Sequence, residues 1–240
     1  MLLHLPTSLS EAQRCLAEGA VPVGGATLVW GLWQRDGFPE QAMSLRALSE
    51  ANLIDRQALG GAVLLHQVDD RVPEVLHRAA STVGTGAVRR TATVGGNIVG
   101  STLRCLLPAA LVLDARATVL DSEGAYETDL GEVVAKRHVL LGLRWRDPLT
   151  SGYYKAPGEV GGPPPLVVAT AVHAGNDGRR RLSVAVRDGY EVTSATADCH
   201  TGPELTLGAL DRTVLASLPG PAREAVRREA TRVLDRLADR

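Results

Sequence analysis

Cys105 is the side chain in this sequence whose type and setting best suit covalent chemistry. It lies in Ser101-Thr102-Leu103-Arg104-Cys105-Leu106-Leu107-Pro108, a stretch read as opening a helix over about 102–113. A helix N-terminus and a neighbouring cation both activate thiols, and Arg104 would supply the cation. A nucleophilic thiol needs a base. Of the six histidines, His138 is the first choice because it precedes a strand predicted from Val139 to Trp145. His66, which closes a strand after Gly60-Gly61, is the alternative. Asp114 at the end of the predicted helix could orient the imidazole, with Asp129 as its alternative. Backbone N–H groups of Gly95 to Asn97 could hold an oxyanion. Cys105, His138 and Asp114 would then form an acyl-transfer constellation, in which the imidazole takes the thiol proton and the thiolate attacks a thioester or activated carbonyl.

A second set of residues points to a different chemistry. In Val23-Gly24-Gly25-Ala26-Thr27-Leu28 and in Thr93-Val94-Gly95-Gly96-Asn97-Ile98, paired glycines follow an apolar strand. Paired glycines leave backbone N–H groups unobstructed, and such nests bind anions.

The elements that position these residues follow from pattern. Ser8 or Ser10 can cap a helix carrying Glu11, Ala12, Leu16 and Ala17, which Gly19 stops. A strand from Ala20 to Val23 runs into the first glycine pair. The strand Leu59 to Leu65 and a helix near Val72 to Val83 begin a second cycle. After Asp114 the pattern turns to strands, with Ala117 to Leu120 and Val139 to Trp145 as candidates. Gly158 to Pro165 reads as a loop between subdomains, and Leu166 to His173 and Leu182 to Val186 read as antiparallel strands flanking a turn at Gly175-Asn176-Asp177-Gly178. A last helix, Pro221 to Leu237, carries Ala225, Val226, Ala230, Val233, Leu234 and Leu237 on one face.

Composition removes several classes of partner. With 26 basic and 27 acidic residues the net charge is −1, and aromatics are only 3%, so neither a nucleic acid nor an anionic membrane is expected. The three cysteines, Cys15, Cys105 and Cys199, are widely spaced without a CxxC. This argues against a disulfide framework or a zinc site and fits a reducing cytoplasm. No secretory signal or membrane span is expected.

The order and separation of the two glycine loops resemble the FAD-binding subunit or domain of the xanthine dehydrogenase and carbon monoxide dehydrogenase family, the PCMH-type FAD-binding fold. The opening Pro6-Thr7-Ser8-Leu9-Ser10-Glu11-Ala12, Leu59-Gly60-Gly61-Ala62, Val88-Arg89, Pro108-Ala109-Ala110-Leu111 and Leu113-Asp114-Ala115 carry the resemblance further, and Tyr154-Lys155 does so weakly. It implies an α/β (α+β) fold with an N-terminal α/β lobe at 1–55, a middle α/β lobe at 56–157, and a C-terminal antiparallel sheet and helix lobe at 166–240. In the family both loops wrap the FAD pyrophosphate, which would place Gly24, Gly25, Gly95, Gly96 and Asn97 against the cofactor. Iron–sulfur and molybdenum subunits would be the partners.

Departures from the family direct the first functional expectation elsewhere. Where the family carries an Asp-Pro pair and then an Asp that holds the flavin's sugar-alcohol chain, ungapped counting from Asn97 gives Thr102-Leu103 and Leu106. Arg90 replaces the Asn usual after the Arg. A fold that has lost that anchor, with Cys105 beside the vacated position, resembles the small bacterial Dieckmann cyclases that release tetramic acids or pyridones from carrier-protein thioesters. The expectation is therefore a cysteine-dependent cyclase without cofactor, acting on a β-ketoamide held by an acyl or peptidyl carrier protein. An FAD-binding electron-transfer subunit of a molybdenum hydroxylase is the alternative, and a cofactor-free binding or scaffold protein the third reading.

Overall fold

Ser8 is extended (φ −136°, ψ 157°), and its Oγ accepts the Glu11 N–H at 3.3 Å to start the helix Leu9–Ala17. Glu11 reaches back to accept the Thr7 N–H at 2.9 Å, so donors that a helix end leaves open are satisfied from both directions. The Thr7 backbone bond is the main reason the Glu11 carboxyl sits below its usual range. Gly19, at φ 84°, ends the helix as its position predicts.

The computed structural model describes residues 1–159, 161–175, 178–199 and 202–238. Asn176 and Asp177 of the expected hairpin turn, Val160 of the Gly/Pro-rich loop and His200 lie outside them. Among the described residues, no helix is long and apolar enough to cross a membrane. The mixed α and β architecture read from the sequence is present. Contacts gather the chain into two units built from separated segments, whereas the sequence suggested three consecutive lobes.

The first unit takes in Met1–Val72, Ala80–Arg104 and Ala115–Trp145. Its small parallel sheet has Gln41–Met43 between Leu2–His4 and Val21–Pro22. Its larger sheet is antiparallel, in the order Ile54–Asp55, Ala58–Gly60, Val139–Arg144, Arg116–Leu120, Ala125–Thr128. Ala12 and Cys15 of the first helix pack with Met43, Leu48, Leu120 and Leu141, which joins helix and both sheets in one core.

The second unit takes in Pro73–Ala79, Cys105–Asp114 and Arg146–Arg240. Its four-stranded antiparallel sheet runs Glu191–Asp198, Arg180–Asp188, Val167–Ala174, Thr150–Lys155. Alternation sends Val168, Val172, Leu182, Val184 and Val186 to one face, where they meet Ala225, Val226, Ala230, Val233, Leu234 and Leu237 of the helix Gly220–Ala238. These six helix residues are the ones the sequence pattern placed on the apolar face. Fully burying each Val or Leu among them contributes about 1.5–3 kcal/mol.

One element differs in a way that matters for Cys105. The helix expected over about 102–113 is only Leu107–Val112, preceded by a π-helical turn, Gly96–Gly100, and by Arg104 at φ 40°. A left-handed residue breaks the helical path, and Pro108 sits where a proline is tolerated, in the first helical turn. Cys105 thus precedes the helix instead of lying inside its first turn.

Candidate functional site

The strand Val21–Pro22 ends with the Val23 N–H donating to the Met43 carbonyl at 2.8 Å. Beyond it the N–H groups of Gly24, Gly25, Ala26, Thr27 and Leu28 meet no acceptor among the described residues. Ala26 is left-handed at φ 56°, and its carbonyl accepts the Trp30 N–H at 3.0 Å as the helix Val29–Asp36 begins. A run of open amides around a left-handed residue is the geometry of an anion nest. The start of an eight-residue helix adds its positive end to the same place.

The second glycine loop is built differently. Val94 N–H donates to the Val63 carbonyl at 2.9 Å and Gly95 N–H to the Gly61 carbonyl at 2.8 Å, while Asn97 N–H reaches the Thr93 carbonyl at 2.9 Å. Gly96 N–H donates to Thr93 Oγ1 at 3.1 Å. Thr93 and Asn97 are buried. With its amides already committed, this loop acts as a frame against which the first is held.

The two loops touch where the glycines require it. A methyl group at Gly24 would overlap Thr93 Oγ1, and one at Gly25 would overlap the Thr91 carbonyl. The paired glycines of the first loop therefore serve close backbone approach, which fixes where its open amides lie. Sequence reasoning found the glycines but missed the three amides after them and the Thr93 clasp. The threonine three residues before Gly96, able to accept that glycine's N–H, was the available signal.

The side chains expected to perform acyl transfer are engaged otherwise. Cys105 is 4% exposed, and Arg187 Nη1 lies 3.8 Å from its Sγ. Asp114 is exposed at φ 50°, just past the helix Leu107–Val112. His138 Nε2 is 3.1 Å from the Tyr126 hydroxyl. Burial, then the charges of Asp121 and Glu132, push the Tyr126 phenol up, so it stays protonated. Of the alternatives, His66 Nδ1 lies 3.2 Å from the Arg89 carbonyl. Asp129 caps the helix Leu130–Lys136 by accepting the Glu132 N–H at 2.8 Å. Buried thiols without water access react slowly. Iodoacetamide is expected to label native Cys105 about tenfold or more slower than in urea, read by mass spectrometry of its peptide. Equal rates would contradict the burial.

Arg187 is a buried charge that the sequence did not announce. It is wholly buried, and its Nη2 donates to the Pro165 carbonyl at 2.6 Å. Alternation places it with Ala185 on the sheet face opposite Val184 and Val186, the face that the helix Leu107–Val112 covers. His173 shares that face and bonds the Val112 carbonyl through Nε2 at 2.8 Å.

Comparison with known proteins adds to this geometry. A family model described as "FAD binding domain in molybdopterin dehydrogenase" matches residues 1–140. Comparison with curated proteins found no match. Among solved structures, quinoline 2-oxidoreductase from Pseudomonas putida 86 superposes with a TM-score of 0.72 at 17% identity, over 100% of this chain and 97% of that one. The cyanide-inactivated Cu,Mo CO dehydrogenase gives 0.71 at 16% identity, over 99% and 97% of the two chains. Reconstituted CO dehydrogenase from Oligotropha carboxidovorans gives 0.71 at 18%, over 100% and 96%. These likenesses give the chain the fold that the sequence resemblance implied.

The same matches overturn the first functional expectation. A cysteine-dependent Dieckmann cyclase, tetramic acid or pyridone formation, a catalytic triad of Cys105, His138 and Asp114, a carrier-protein substrate and the lack of a cofactor find no support in them. Physically, a carboxylate missing at Leu106 and the type of one buried cysteine do not make a nucleophilic site. The open amides from Gly24 to Leu28 beside left-handed Ala26 are a separate feature of the chain.

Proposed function

The chain belongs to the family of FAD binding domains of molybdopterin dehydrogenases, and from that membership we propose that it binds FAD and serves as the flavoprotein component of a molybdenum hydroxylase. The observation that carries the reading is the row of open amides from Gly24 to Leu28 beside left-handed Ala26. These residues fit the anionic part of FAD. A pyrophosphate accepting two of these N–H groups would gain charge-assisted bonds of about 1.5–3 kcal/mol each.

On this reading Gly24, Gly25, Ala26, Thr27 and Leu28 hold the pyrophosphate, while Gly95, Gly96 and Asn97 stabilise the loop that braces them. Bound flavin would supply one- and two-electron redox chemistry. Separate iron–sulfur and molybdenum subunits would be the electron partners, in keeping with the quinoline and CO dehydrogenase likenesses. Leu106 stands at the position where the resemblance implies a carboxylate, and it is wholly buried.

Equilibrium dialysis tests the reading. One FAD per chain is expected, with riboflavin, which lacks phosphate, retained far less. Equal retention of both, or of neither, would contradict it.

A further inference from the structure

We infer that Arg90 is a diphosphate-recognising residue of this chain, adding a cation to the open amides of the first glycine loop and tying the site to dinucleotides and nucleoside diphosphates. The inference rests on the FAD reading above and concerns how that ligand's anionic part is selected.

Backbone contact places Arg90 beside the loop. Gly25 lies against the Thr91 carbonyl, so ordinary covalent geometry puts the Arg90 Cα within roughly 9 Å of the Gly25 Cα. An extended arginine side chain covers most of that span. The Arg90 N–H closes the short helix Gly86–Arg89 by donating to the Gly86 and Val88 carbonyls. Its side chain is exposed and makes no ion pair or hydrogen bond among the described residues.

The adjacent Arg89 is not similarly available. Arg89 is fixed by bonds from Nη1 to the Val83 and Gly84 carbonyls, each 2.9 Å. Arg35 pairs with Asp36, and Arg71 with Asp69. Around the nest, Gly24 to Leu28 and Thr91 to Thr93 bring no charged side chain of either sign. From these two segments a bound diphosphate would meet only neutral dipoles. Arginine's planar fork suits phosphate oxygens, and no carboxylate competes for this one. The same charge gives no advantage to a ligand without phosphate.

Calorimetric titration of the full chain with FAD, with ADP and with riboflavin tests the inference, using wild type, Arg90→Gln and Arg90→Lys at low and moderate salt. Arg90→Gln is expected to weaken FAD and ADP by a common factor of about fivefold to twentyfold. It should flatten their salt dependence and leave riboflavin and the melting temperature unchanged. Arg90→Lys should recover part of the loss. If Arg90→Gln binds ADP as tightly as wild type with the same salt dependence, or if wild type binds FAD but not ADP, the inference is overturned while the FAD reading stands. If wild type binds neither, the FAD reading falls and the inference with it.

Discussion

Gly25→Ala is expected to weaken FAD binding about 100-fold and to destabilise the protein, although it adds a single methyl group. That methyl would overlap the Thr91 carbonyl, which belongs to the backbone and cannot rotate away. Overpacking of this kind costs about 1–3 kcal/mol, and the upper part of that range applies when the obstacle is main chain. The loops must separate to relieve the overlap, which turns the amides after Gly25 away from their common target. Loss of two charge-assisted bonds, about 3 kcal/mol together, lowers affinity about 100-fold. Gly31→Ala is the control. Nothing lies within 4 Å of its added methyl, and it sits inside the helix Val29–Asp36. Alanine there should raise stability by about 0.5–1 kcal/mol and leave FAD affinity alone. Urea denaturation and FAD titration of both variants check the opposite signs, and equal behaviour would contradict the interlocked loops.

Arg187→Ala is expected to be the most damaging single truncation in the second unit. The side chain is wholly buried, donates to the Pro165 carbonyl at 2.6 Å and lies against Cys105. Alanine would leave that carbonyl without its donor and open a cavity of several heavy atoms. Together these cost about 3–5 kcal/mol. Arg187→Met keeps most of the volume, loses the hydrogen bond and removes a buried charge, so its cost should be much smaller, near 1 kcal/mol. A urea midpoint for Arg187→Ala within error of wild type, at unchanged m-value, would contradict the role given to this arginine.

The parts of this fold that the sequence made legible are those where one residue type has one physical use. Ser8 with Glu11, the stop at Gly19 and the apolar face of the last helix are local, periodic features, and they appear where expected. The paired glycines were legible for the same reason, since close backbone approach admits little else. The stretch from Thr102 to Leu113 was misread because its apolar content suits a helix, while the left-handed Arg104 leaves no mark in composition. Cys105 shows the larger difficulty. A thiol's type suggests reactivity, but burial decides it, and burial depends on Arg187, 82 positions later in the chain. Arg187 itself reads as a surface residue at the end of a strand until register sends it inward. The amides past Gly25 were hidden because backbone donors have no signature in side-chain identity, whereas Thr93 left one in its spacing from Gly96.

The absorption spectrum of the full chain, mixed with excess FAD and passed through a desalting column, tests the central claim most directly. The two bands of oxidised flavin should travel with the protein at one flavin per chain, with vibronic structure that free FAD in water lacks. A colourless protein after desalting, with all the FAD in the small-molecule fraction, would contradict it.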